Sequence, residues 1–387
     1  MKALDDHTLE VRLSAPASYF PLVLTHPATY PLPRWVVEGD RQPWTEAANL
    51  VGNGPYRLAQ WAAGEGMVRE WTPHYRGLAR GNVGRVEAPV IDGYAAQLKA
   101  FDQGSLDGIS LIMADPGTVG QLRASYRREF RLTPALSTVY LGFRMDRPPF
   151  DDPRVRMAFV QAIDRKVLLE QTGSAHYQPA LGGFLPPGMP GHSPAVGIGF
   201  DEEAARRSLA QAGYERGVGF PAIELLYTGD PASNPMPAAL QSLWNQALGV
   251  QVNARSLPWG EFMDRQDHDP APITISGWSA DYPDPDSMLR VLFHSREGLN
   301  PIRWSNPEFD ALTEQAARIA DRKRRIELYQ QADRILVDDE AAIMPLSYAQ
   351  GRQLVKPYVE IPRTPPSLLR LKHAVVRRGA NENPKAA

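Results

Sequence analysis

From Asp151 to Tyr348 the chain alternates helix-type and strand-type patterns, and this alternation restricts the fold more than any other feature. Asp152-Pro153 supplies an N-cap and a first-turn proline for a helix whose apolar face carries Val155, Phe159, Ala162 and Ile163. A second helix is predicted from Asp201 to Ala212, stopped by Gly213. Ile223 to Tyr227 reads as a strand. Ala239 to Leu248 reads as a helix with Leu240, Leu243, Trp244 and Ala247 inward and Gly249 as its stop. Val250 to Ala254 is the next strand, and Ile273 to Ser276 follows after a loop at Trp259. Strand, helix, strand at this spacing is the signature of a parallel βαβ sheet. Ser305-Asn306-Pro307-Glu308 has the capping-box form and opens a helix through Phe309, Leu312, Ala316 and Ile319. Another helix, with Ile326, Tyr329 and Ile335 inward, and a strand from Ala342 to Tyr348 complete the block.

The first part of the chain reads differently. Asp6 to Leu13 alternates, with Leu9, Val11 and Leu13 on one face, and is predicted as a strand. Asn53-Gly54-Pro55 is a turn signal before a strand from Tyr56 to Trp61, with Gly66 to Trp71 as its hairpin partner. Ala95 to Gly104 is a helix with Leu98 and Phe101 on one face, and Ser137 to Phe143 is a further strand. Gly182 to Pro194 is a Gly/Pro loop, and the tail from Arg377 is expected to fray. The length of 387 residues implies two or three domains. A net charge of −2 argues against a nucleic-acid partner. The absence of cysteine excludes disulfides and thiolate chemistry and suits an oxidising compartment as well as a reducing one. No apolar run approaches the roughly 18 residues of a membrane span, and Met1 to Asp6 carries no secretory h-region.

Ile273 to Ser287 concentrates the groups a ligand site needs. A β-branched strand is expected to turn at Gly277 into Trp278, Asp281 and Tyr282 and to stop at Pro283 and Pro285. The strand fixes position and the loop presents an aromatic and a carboxylate. The same residues read equally well as a core tryptophan and a capped turn. Asp281, Asp284 and Asp286 invite comparison with a glycosidase pair or a calcium loop, but the spacing is wrong for an EF-hand. A catalytic pair is defined by separation in space and stays open at this level. Gly277-Trp278-Ser279-Ala280-Asp281 is half of a nucleophile elbow with no helix expected after Ser279. The eight histidines lack helical metal spacing, and no Gly-rich phosphate loop follows a strand, so neither metal nor nucleotide cofactor is expected.

Several segments, in order, carry a family resemblance: Asp5-Asp6-His7-Thr8-Leu9-Glu10-Val11, Asn53-Gly54-Pro55-Tyr56, Phe150 to Arg156 with Ala162-Ile163-Asp164-Arg165, Pro186 to Gly191, Gly277 to Tyr282 with Pro285, and Val355 to Val359. Together they resemble the extracytoplasmic solute-binding proteins of peptide ABC importers, family 5, from about Asp5 to Arg378. The resemblance implies an α/β fold of the periplasmic-binding-protein type II class: two hinged lobes with mixed sheets, closing on a ligand. It also implies that this chain is N-terminally incomplete, with residues 1–34 a remnant of a small extra domain, 35–145 and 350–387 part of lobe I, and 146–349 lobe II.

The same resemblance implies roles. Asp281 matches an aspartate that meets a peptide's α-ammonium as a buried, charge-assisted pair. Gly277 and Ser279 match positions whose main chain pairs with the ligand as an added strand. Trp278 and Trp259 match pocket walls, Tyr282 lies in the same loop, and His26 matches a histidine near the pocket. Trp259 and His26 read equally as a surface aromatic and a capped loop histidine. Ile275 and Gln266 stand where some oligopeptide binders carry arginines for a peptide carboxylate, so peptide length is open. Relatives also carry cellobiose-type sugars and nickel complexes. The expected function is therefore the binding subunit of an importer, no enzyme, partnered by permease subunits. It would work in the periplasm or at the outer face of the membrane, and would be membrane-associated only through the transporter or a lipid anchor outside this chain. The alternatives are a ligand-sensing domain of a cytoplasmic transcriptional regulator, or a binder of an oligosaccharide or nickel complex.

Overall fold

The structure is a computed structural model describing residues 1–39, 43–111, 114–174, 177–231, 234–362 and 371–377. The expected fraying after Arg377 lies outside the described residues. The chain divides into two units: 1–27, 115–120 and 134–350 form one, and 28–114, 121–133 and 351–387 the other. Residues 1–27 thus group with 134–350, where the sequence reading set 1–34 apart.

The first unit is built on strands β1 (Phe130–Phe143), β2 (Ile223–Thr228), β3 (Val252–Leu257), β4 (Ile273–Ser279) and β5 (Ile343–Val355), in the order β3-β2-β4-β1-β5. β1 and β5 each also contribute residues to the second unit. β2 runs parallel to β3 from Ile223↔Val252 to Thr228↔Leu257, the βαβ arrangement that the alternation predicts. β4 is parallel to β2 and antiparallel to β1, so the sheet is mixed.

Helices α1 (Pro153–Gln161), α2 (Glu202–Gln211) and α3 (Met236–Leu248) cover this sheet. Asp152 caps α1 by accepting the Arg154 N–H, and Asp201 caps α2 by accepting that of Ala204. Gly249 ends α3 at φ 71°, where a Cβ would lie 2.4 Å from the Arg216 carbonyl oxygen, so glycine is required there. The α3 stripe delivers Leu240 and Trp244 into a core with Phe143, Phe150, Phe159, Leu225 and Ile273. The Trp244 indole N–H donates to the Phe159 carbonyl at 2.9 Å, which satisfies a polar atom that burial would otherwise penalise.

Helices α4 (Trp259–His268), α5 (Pro285–Met288), α6 (Pro307–Arg318) and α7 (Arg322–Arg334) follow. Two expectations change here. Asn306, not Ser305, caps α6, accepting the Glu308 and Phe309 N–H groups at 3.0 Å each. Trp259 opens helix α4 directly after Pro258 instead of sitting in a loop. A second core gathers Tyr140, Phe184, Leu185, Phe293, Trp304, Phe309, Leu328 and Tyr329 between α5, α6 and α7. The predicted strand from Asp6 to Leu13 shrinks to Leu9–Glu10, paired with Lys2–Ala3, because its partner is two residues long.

The second unit has a three-stranded antiparallel sheet, Tyr56–Ala62, Gly66–Trp71 and Arg85–Pro89, and a helix from Tyr94 to Asp102 whose Phe101 is buried. The predicted hairpin is present in register Tyr56↔Trp71.

Candidate functional site

The candidate binding residues from Gly277 to Tyr282 lie in the first unit, at and just beyond the carboxyl end of β4. The strand does not turn at Gly277 as the sequence suggested. It stays paired with β1 through Gly277↔Val139, Trp278↔Thr138 and Ser279↔Ser137. The reason is the straight run of Ser137 to Phe143 alongside, which offers a partner for each of these residues.

The pairing decides where the main chain points. Arg144 N–H donates to the Pro272 carbonyl at 3.0 Å, and Ala280 N–H to the Leu136 carbonyl at 2.8 Å. In an antiparallel ladder hydrogen-bonded pairs recur every second residue. The even-numbered residues of β4 therefore address β1, and Ile275, Gly277 and Ser279 turn their N–H and C=O groups to the opposite edge. β2 accompanies that edge only at Ile273↔Leu225 and Thr274↔Leu226. Among the described residues no strand pairs with β4 on that side at Gly277 and Ser279, and both are exposed. A Cβ on Gly277 would meet nothing closer than 3.8 Å, so packing does not demand glycine; it leaves the backbone bare on an open edge.

The side chains alternate accordingly. Trp278 packs against the second core and donates its indole N–H to the Ser287 carbonyl at 2.7 Å. The ring is half-buried, with part of its surface packed on that core. Asp281 is exposed, and among the described residues no hydrogen bond or ion pair reaches its carboxylate; its N–H donates to Ser287 Oγ at 3.0 Å. Tyr282 is buried, its ring stacked on Tyr19 at 5.8 Å and its hydroxyl donating to Asp286 at 2.7 Å. Burial, and then the Asp286 charge, raise the Tyr282 hydroxyl pKa, which keeps it a donor.

Asp284 and Asp286 form no free carboxylate pair. Asp284 is 2% exposed, caps α5 through the Asp286 N–H, and accepts two N–H bonds from Arg325 at 2.6 and 2.5 Å. Asp286 is fully buried and accepts from Tyr282, from Arg290 Nε at 2.6 Å and from the Tyr329 hydroxyl at 3.0 Å. With their lone pairs committed in this way they anchor the loop instead of acting on a substrate. No cluster among the described residues has the composition of a metal site.

Trp259 follows the carboxyl end of β3, on the same end of the parallel strands as Ser279, with β2 between. It is 66% exposed and stacks on Phe262. Ligands of open α/β sheets bind outside such carboxyl ends. His26 is half-buried after the short helix Phe20–Val23, its N–H on the Val23 carbonyl at 2.9 Å. From the same segment it is Tyr19 that reaches the loop, held by Arg290 at 2.9 Å, while Ser18 Oγ donates to the Ile319 carbonyl at 2.6 Å. Tyr19, Arg290 and Arg325 escaped sequence reasoning, which read Asp286 only as one of three acidic residues, Ser287 only as the end of the segment and Tyr329 only as an inward helix residue. The spacing of four from Tyr282 to Asp286 to Arg290 was their one local signal. Gln266 is 8% exposed on α4, beside the Leu226, Leu257 and Phe262 cluster, and its Oε1 has no partner among the described residues.

The family model described as bacterial extracellular solute-binding proteins, family 5 Middle, matches residues 1–300. The chain belongs to this family. It is 32% identical over 366 residues to the periplasmic oligopeptide-binding protein OppA of Escherichia coli (strain K12), covering 93% of this chain and 66% of that protein. It is 30% identical over 368 residues to the probable deoxycholate-binding periplasmic protein YgiS of the same organism, covering 93% and 67%. The solved Escherichia coli murein tripeptide-binding protein MppA superposes with a TM-score of 0.75 at 26% identity, covering 98% of this chain and 74% of that one. The chain thus spans just under two thirds of the length of OppA. The α/β architecture with mixed sheets is the type II periplasmic-binding-protein fold that the family 5 proteins share. No helix among the described residues is long and apolar enough to cross a membrane.

Proposed function

We propose that this family 5 chain is the peptide-binding component of an ABC importer, gripping a free-amine peptide along the β4 edge and delivering it to membrane permease subunits from the periplasm or the outer face of the membrane. One observation carries the reading. Among the described residues no strand pairs the edge at Gly277 and Ser279, and the carboxylate of Asp281, two residues further along the chain, has no partner. An extended peptide satisfies that edge by strand addition, which gives affinity without reading side chains. Its α-ammonium then meets Asp281 in a charge-assisted bond. Trp278 and Trp259 supply apolar walls, Tyr282 holds the turn, and His26 belongs to the segment docked beside it. No catalytic step is assigned: Asp284 and Asp286 are consumed by Arg325, Arg290 and two tyrosines.

The Asp281 charge also separates ligand classes. A bile-acid carboxylate, of the kind suggested by the name of the deoxycholate-binding relative, would face like charge there. The test is a thermal-shift screen of di- to hexapeptides, deoxycholate and cello-oligosaccharides, followed by calorimetry of the best hit. Free-amine peptides should bind. N-acetylation of the peptide or Asp281→Ala should each weaken binding by about tenfold to a hundredfold. Unchanged affinity on both substitutions would remove Asp281 from the site.

A further inference from the structure

Ser287 lies in α5, fully buried, out of reach of any ligand, yet it touches both ends of the recognition segment. Its Oγ accepts the Asp281 N–H at 3.0 Å and its carbonyl accepts the Trp278 indole N–H at 2.7 Å. The element that carries it is itself fixed. Asp284 caps α5 and is clamped by Arg325, and Asp286, the residue before Ser287, is anchored by Arg290, Tyr282 and Tyr329. Between these anchors the exposed turn is short of its own bonds. Ala280 is tied to Leu136 and Asp284 to the Tyr282 carbonyl, and Asp281 N–H has Ser287.

We propose that Ser287 is the positioning residue of the binding segment: from inside the protein its Oγ sets the Asp281 backbone, so that the carboxylate is presented in one geometry before ligand arrives, while its main-chain carbonyl, which any residue there would supply, holds the Trp278 ring. This rests on the reading of Asp281 as the amine contact. A turn released from Ser287 Oγ samples more backbone states, and the cost of ordering it falls on binding instead of on folding. The effect is therefore specific to ligands that use Asp281.

The test is a double-substitution cycle by calorimetry with tri-L-alanine and N-acetyl-tri-L-alanine as probes. Ser287→Ala should weaken the free-amine peptide by about tenfold, leave the acetylated peptide unchanged, and add nothing further in an Asp281→Ala background. Equal weakening of both peptides, or a full additional loss in the Asp281→Ala background, would mean that Ser287 acts on general stability and would overturn the proposal. If Ser287→Ala does not melt cooperatively, amide exchange in the unsubstituted protein decides. A protected Asp281 N–H supports the clasp, and exchange at the free-peptide rate overturns it. If Asp281→Ala alone leaves tri-L-alanine affinity unchanged, the reading of the site fails, and this proposal with it. If Asp281→Ala weakens binding and Ser287→Ala does not, the positioning role alone fails.

Discussion

Asp281 and Asp286 stand five residues apart and face opposite demands. Asp281 is exposed and its carboxylate has no partner among the described residues, so nothing in the fold depends on its charge. Asp286 is fully buried and takes hydrogen bonds from Arg290, Tyr282 and Tyr329. Removing one member of such a network leaves the others desolvated and unpaired, which costs more than the pair contributed. Asp286→Ala should therefore lower the unfolding free energy by about 3 kcal/mol, softened because Arg290 keeps Glu297 and Tyr19 as neighbours. Urea unfolding measures it, and a loss indistinguishable from that of a surface substitution would refute the anchoring role. Asp281→Ala should leave the melt of the free protein unchanged while weakening peptide binding.

At the scale of elements, α7 ties the Gly/Pro loop that the sequence marked from Gly182 to Pro194. Asp333 on α7 is fully buried and accepts the Phe184 N–H at 2.8 Å and the Leu185 N–H at 3.4 Å. The Tyr348 hydroxyl donates to the Gly183 carbonyl at 2.8 Å from β5. Burial pushes the Asp333 carboxyl up to about 7, against the two backbone N–H bonds that pull it down, with Asp338 adding to the rise. A folded pKa above the unfolded one means that the native state holds the extra proton. Stability from this group is complete below the unfolded value near 3.8 and is lost as pH rises through about 7. Melting temperatures from pH 4 to pH 8 should fall in the unsubstituted protein relative to Asp333→Asn, whose side chain does not titrate. Parallel curves would show that Asp333 stays ionised throughout. β4 illustrates the same scale differently. It continues past Gly277 because β1 offers a straight partner, and it loses β2 after Thr274, and those two facts together create the open edge.

For the molecule as a whole, a ligand that binds the native state alone adds stability by mass action. At free peptide a hundredfold above Kd the gain is about 2.7 kcal/mol. The melting temperature should therefore climb with the logarithm of free-amine peptide concentration, and Asp281→Ala should displace that curve to higher concentration without changing its start. A melt insensitive to every peptide that binds by calorimetry would place binding on a state other than the folded one.

The sequence by itself determined much of the element pattern of residues 151–348, because periodicity, caps and glycine stops are local; helix α4 after Pro258 and the run of β4 past Gly277 were not among it. The Asp152 cap, the Trp244 stripe and the Gly249 stop needed no distant partner to be read. It also made Gly277 to Tyr282 a candidate ligand segment, although the same residues read equally well as a core tryptophan and a capped turn. Tertiary structure decided what those residues are free to do. Asp284 and Asp286 looked equivalent to Asp281 until Arg325, Arg290 and Tyr329, contributed by other helices, consumed them. The open edge at Gly277 and Ser279 depends on where β2 departs, and the hold on Asp281 and Trp278 on Ser287 in a helix of four residues. Pairing of charges and of strands is a matter of which segments meet in space, and a linear pattern records only what each segment could offer.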